Sequence, residues 1–139
     1  MEASLALTII GTVLILVGII FNAIPVLVNK QVMGDLAEEA VNPAAALRTI
    51  LGGSAIAVGF IAFYCRGIPN EQASTLLTAL GVGMTVIMST IILIKPRGFA
   101  DDIPIPPVVM FIILTIIAFY ASKIINFNTS PTFVGFFVY

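Results

Sequence analysis

Four long apolar runs separated by three polar stretches set the pattern of this chain. The runs cover residues 5–28, 44–65, 73–94 and 107–125. Each is close to the length that spans about 30 Å of hydrocarbon at roughly 1.5 Å per residue. The pattern predicts an all-α fold: a four-helix transmembrane bundle over residues 1–125, with short loops and an aromatic tail at 126–139. An even number of spans puts both termini on one side.

The second run opens the clearest element, residues 42–66, NPAAALRTILGGSAIAVGFIAFYCR. Asn42 fits an N-cap, and Pro43 the first helical position. Small residues then break the apolar surface. Ala55 and Gly59 lie four apart, as do Gly53 and Ala57, and Ala79 and Gly83 repeat the spacing in the third run. That spacing lets helix backbones approach closely, and the second and third helices are expected to pack through Gly53, Ala57, Ala79 and Gly83. The short turn around Pro69 and Asn70 makes them antiparallel neighbours. In the first run, Gly18 and Asn22 share a face, and Asn22 should turn toward another helix. Pro25 predicts a kink near that helix's end. Ser74, Thr75, Thr78, Thr85, Ser89 and Thr90 are hydroxyls expected to bond back to their own helix.

A secretory signal is a poor account of the first run. It has no basic residue before it, is too long, and lacks a small-x-small cleavage site after it. The polar connection 29–41 carries Asp35, Glu38 and Glu39, which fit one short surface helix. The connection 95–107, KPRGFADDIPIPP, is a proline-stiffened loop with Asp101 and Asp102. Tyr120 and Lys123 suit an interface at the far end of the fourth run. The tail carries Phe127, Phe133, Phe136, Phe137 and Tyr139, a candidate partner contact. Asn128 opens a match to the glycosylation pattern, with Pro131 close behind.

Composition sharpens the class. Hydrophobic residues make up 60% of the 139 and charged residues 9%, against about 25% charged in soluble domains. That much apolar surface cannot be hidden in a core of this length, so the lipid bilayer is the expected solvent. Net charge is −1, which leaves no basic footprint for nucleic acid. There is no histidine and one cysteine, Cys65, which excludes an internal disulfide and any Cys/His zinc site. No residue set suggests a base, a nucleophile or a metal site, so no catalytic residue and no metal ligand is assigned. No cofactor is evident, and a bound lipid or quinone stays open. Lys30, Lys95, Arg97 and Arg48 lie toward the loops after the first and third helices, whereas Arg66 and Lys123 lie toward the termini. The balance favours those loops inside and the termini on the non-cytoplasmic face.

Arg48 is the one charge set well into a run. A charge at a helix centre costs up to ~3 kcal/mol and less near an end, unless it is paired or reaches the interface. Asp101 or Asp102, or carbonyls of their loop, are the expected partners, tying the stiff loop to the bundle; snorkelling to lipid phosphates and an anion or headgroup site at Arg48 are the alternatives.

Two motifs resemble a known group. The first helix ends Asn22-Ala23-Ile24-Pro25, and the second begins Leu47-Arg48-Thr49-Ile50-Leu51-Gly52-Gly53. With two further helices and an acidic loop between them, residues 5–125 resemble the small four-helix bacterial membrane proteins near the DoxX-like families. The resemblance implies a four-helix fold in a bacterial inner membrane and no established activity. In such relatives an Arg often closes the third helix, whereas here Arg97 follows Pro96. The expected function is a non-catalytic structural or accessory subunit of a larger membrane complex. A small transporter or channel-like homo-oligomer and a quinone- or lipid-binding redox component are the alternatives.

Overall fold

The computed structural model describes residues 2–98 and 103–129, with side chains as far as residue 124. The described residues are 87% helical, with no strand among them. In chain order they form α1 (Ala3–Ala23), α2 (Pro25–Met33), α3 (Glu38–Tyr64), α4 (Asn70–Leu93) and α5 (Ile105–Thr129), with a 3₁₀ turn at Cys65–Gly67 between α3 and α4. Four of these, all but α2, are long and apolar enough to cross a membrane.

Proline chemistry sets several boundaries, and two of them depart from expectation. The first run does not continue to residue 28. Ile24 leaves helical geometry at φ −136° and ψ 51°, and Pro25 starts a separate helix. A proline disfavours the α conformation in the residue before it, so the predicted kink becomes a full break. Gly34 ends α2 at φ 78°, a backbone state that side-chain-bearing residues rarely adopt. The second departure is at α3, which begins four residues before Asn42. Its cap is Ala37, and Pro43 lies inside the helix. Pro43 releases the carbonyl of Glu39, which sits in the exposed first turn where water can take over the bond. Glu38 and Glu39 therefore belong to the first turn of α3, where carboxylates favour the helix dipole, and not to a separate surface helix. Pro106 and Pro107 fall in the first turn of α5, where their missing N–H groups have no intrahelical role. At the other end α5 runs to Thr129, past the expected stop at residue 125.

The helices pair as two antiparallel hairpins, α1 with α3 and α4 with α5. The α1–α3 contact is made by glycines. A Cβ on Gly11 would sit 2.7 Å from the Gly59 carbonyl oxygen, and one on Gly59 would sit 2.8 Å from that of Gly11. Gly18 and Gly52 exclude each other's Cβ in the same way, with Gly18 O 2.8 Å from a Cβ on Gly52. Both pairs share one antiparallel register, and the glycines are seven residues apart on each helix. Seven is the repeat that keeps one helix face against a partner. Asn22 extends the contact: its Nδ2 donates to the Gly18 carbonyl at 2.9 Å and borders the space a Gly52 side chain would need.

The two hairpins join through the N-terminal half of α1. Ala3, Ala6, Leu7, Ile10 and Leu14 form one core with Ala62 of α3, Ala73, Leu77 and Met84 of α4, and Leu114, Ala118 and Ala121 of α5. Alanine dominates this set, so the helices approach closely with little side-chain volume between them.

The expected contact through Gly53, Ala57, Ala79 and Gly83 is not formed. All four are exposed, and a Cβ on Gly53 or Gly83 would meet nothing within 4 Å. At about 100° per residue, Gly53 is turned a quarter-circle or more from Gly52, and Ala57 lies nearly opposite Gly59. The helix that uses the glycines of α3 is α1, not α4.

Alanine substitutions separate the two faces. Gly18→Ala, Gly52→Ala and Gly59→Ala should each cost about 1–3 kcal/mol through overpacking against backbone. Gly53→Ala should be neutral or stabilising by up to ~1 kcal/mol, from helix propensity alone. Thermal unfolding of the purified variants in mild detergent measures both, and a Gly53→Ala loss equal to that of Gly52→Ala would contradict the assigned face.

Candidate functional site

The break at Pro25 creates the most distinctive polar site among the described residues. It folds α2 back onto the first half of α3 and buries two residues of α2, Val28 and Asn29. Asn29 is only 2% exposed. Its Oδ1 accepts a hydrogen bond from Arg48 Nε at 2.8 Å. Arg48 is half-buried, and its guanidinium lies 4.9 Å from the centre of the Phe21 ring. Three helices thus meet at one cation: α1 gives an aromatic face, α2 an amide oxygen, and α3 the arginine.

The α1–α3 register explains the placement. Continuing it past Gly18 and Gly52 sets Arg48 level with Asn22, in the last turn of α1. That turn carries no basic residue of its own, and a cation beside a helix C-terminus is favoured. Arg48 lies ten residues, roughly 15 Å, from the start of α3, deeper than a helix starting at Asn42 implies. No carboxylate among the described residues pairs with it. Asp35 instead pairs with Lys30 at 3.0 Å in an exposed bridge, of a kind worth little. Asp101 and Asp102 lie outside the described residues. The arginine's partner within them is neutral, so its charge is oriented without being cancelled.

Because an arginine only donates, Arg48 fixes which way the Asn29 amide faces. That leaves Asn29 Nδ2 as a buried donor with no acceptor among the described residues. Asn29 also lines a small open cleft with Val26, Lys30, Gly34, Asp35, Leu36 and Val41.

A second polar cluster lies at the opposite end. Ser74, Thr78 and Ser122 join α4 to α5, with Ser74 Oγ 3.0 Å and Thr78 Oγ1 2.7 Å from Ser122 Oγ. Most hydroxyls behave as expected and donate to the carbonyl four residues back, as Thr75, Thr85, Ser89 and Thr90 do. Thr78 does so too and also reaches Ser122, and Ser74 makes the crossing contact. Ser122 is a polar residue inside an apolar run, and that was its available signal. Asn29 and Phe21 gave none, since their meeting depends on the break at Pro25.

The other predicted site residues scatter. Gly53, Ala57, Ala79 and Gly83 face outward on two helices. The side chains of Phe127, Phe133, Phe136, Phe137 and Tyr139 lie outside the described residues, as does the Asn128 side chain with the Ser130 that completes its motif. Cys65 is a free thiol in the 3₁₀ turn, beside an Arg66 that lies 4.2 Å over the Phe63 ring. No group of three or more metal-ligating residues occurs among the described residues. No protein-family profile, no curated protein and no solved structure matches the chain.

A double-mutant cycle on Arg48→Gln and Asn29→Ala tests the site. A hydrogen bond to a charged group is worth about 1.5–3 kcal/mol, so the two losses of stability should couple by roughly that amount. Losses that simply add would show that Asn29 does not hold the guanidinium.

Proposed function

We propose that this chain is a multi-pass membrane protein that acts as a non-catalytic structural or accessory subunit of a larger membrane assembly. The observation that carries the reading is the outward face of α3 and α4. Each helix spends its inward face within its own hairpin and the shared core, and each keeps a pair of small residues turned away from both. Gly53 with Ala57, and Ala79 with Gly83, leave grooves where a foreign helix backbone can approach closely.

Large apolar side chains surround these grooves. Ile50 is 65% exposed, Phe60 60% and Val86 60%. Exposed apolar surface on this scale is not sustained in water, and a bilayer or a partner helix covers it without cost. In this reading, residues 24–37 and the loop after α4 face the cytoplasm, where Lys30, Lys95 and Arg97 satisfy the positive-inside rule. The aromatic tail from residue 126 supplies a further contact to the assembly. The likeness to the DoxX-like membrane proteins belongs to the same proposal and extends to architecture alone.

Ala57→Leu and Gly83→Leu fill the grooves without touching the internal contacts. Both variants should keep the wild-type melting temperature in mild detergent. Both should lose the foreign subunits that co-purify with the wild-type chain. If the wild-type chain purifies without other subunits, as a monomer or as a defined homo-oligomer, the accessory-subunit reading fails.

A further inference from the structure

We infer that Arg48, oriented by Asn29 and Phe21, is a binding site for the phosphate of a membrane lipid headgroup. The argument starts from what holds the guanidinium. Nε is engaged by Asn29 Oδ1 at 2.8 Å, and one face of the group is covered by the Phe21 ring at 4.9 Å. These contacts fix the plane of the fork and leave the Nη donors without an acceptor among the described residues. Phosphate oxygens match that fork in pairs, which a point charge cannot exploit in the same way.

The charge balance points the same way. A structural arginine at this depth is ordinarily neutralised by a carboxylate. Among the described residues the partner is an amide, Asp35 is held by Lys30, and Glu38 and Glu39 are more than two turns away along α3. Asn29 Nδ2, buried and without an acceptor among the described residues, leaves the internal hydrogen bonding of this corner incomplete.

The position fits a lipid better than a soluble anion. Leu7, Leu14 and Phe21 are seven apart and share one face of α1. Leu7 and Leu14 are buried in the core that joins the two hairpins. Phe21 continues that face beyond the last buried core residues, Met84 on α4 and Leu114 on α5. Large apolar side chains are exposed along this end of α1 and α3, among them Ile20, Ile24, Leu47 and Leu51, beside the polar Asn22 and Thr49. A ligand reaching Arg48 therefore needs an anionic head beside an acyl surface.

The test uses the full-length protein in a nonionic maltoside detergent. Native mass spectrometry reads retention of added phosphatidylglycerol, diacylglycerol of the same chains, or inorganic phosphate. Wild type should retain phosphatidylglycerol and not diacylglycerol. Asn29→Asp is the decisive variant, because it keeps the shape of Asn29 and gives Arg48 an internal carboxylate. It should keep the wild-type melting temperature and bind phosphatidylglycerol about tenfold or more weakly, the loss of a charge-assisted bond. Arg48→Lys should be similarly weakened. Wild-type affinity in Asn29→Asp overturns the site. Wild-type affinity in Arg48→Lys reduces it to a point charge, and overturns the oriented fork. Equal retention of diacylglycerol removes the phosphate from the recognition. Inorganic phosphate that displaces the lipid at comparable concentration assigns the corner to a soluble anion and overturns the lipid assignment.

Discussion

Backbone-to-backbone approach of α1 and α3 is the constraint from which the rest of the structure follows. Gly11 against Gly59 and Gly18 against Gly52 leave no room for a Cβ on either side. In a lipid environment the hydrophobic effect does not draw helices together, so packing contacts and short interhelical distances must supply the attraction. Two glycine pairs seven residues apart provide them along most of α1. They also fix the register of the hairpin, because a slip of one residue would drive a side chain into backbone. Register then fixes everything level with it. It sets Arg48 beside the end of α1 and Ala62 against the core of the second hairpin.

The second hairpin is held by different means. Ser74, Thr78 and Ser122 cross between α4 and α5, and alanines let the helices close around them. The two hairpins meet mainly through the N-terminal half of α1, with Ala62 of α3 beside it. Burial is densest toward the 3₁₀ turn and thins toward the opposite end, where no residue of α4 beyond Met84 is buried. Tight packing at one end and a polar, arginine-bearing corner at the other make the two ends of the molecule structurally unlike. The closed end is specified by small residues and hydroxyls. The other end carries a broken helix, an arginine with no carboxylate partner among the described residues, and a buried amide N–H with no acceptor among them.

Much of this was legible in the pattern of apolar runs. Span length and the polar stretches are properties of consecutive residues, so four long apolar helices follow from the chain alone. Proline and glycine signals located the breaks to within a few residues. Pro25 marks a discontinuity and predicts a kink where the chain makes a full break, and Pro43 reads as a helix start because its place inside α3 depends on an exposed first turn. Arg48 stood out because a charge in an apolar run needs a physical account wherever it lies.

Choice of neighbour was not legible. The small-residue spacing of Gly53 and Ala57 is as good as that of any pair in the chain, and Gly52 differs from Gly53 by one position. A single step turns a glycine by about 100° around the helix, so one faces α1 and the other faces away. The seven-residue match of Gly11 and Gly18 with Gly52 and Gly59 was present in the sequence, yet it has meaning only once α1 and α3 are paired. The same holds for Asn29, Phe21 and Arg48, which lie on three helices. The sequence by itself determined which residues are helical, which stretches are apolar enough to span, and that one arginine needed a partner. Only the tertiary structure decided which helix faces meet, because that choice depends on volume and register summed over whole helices.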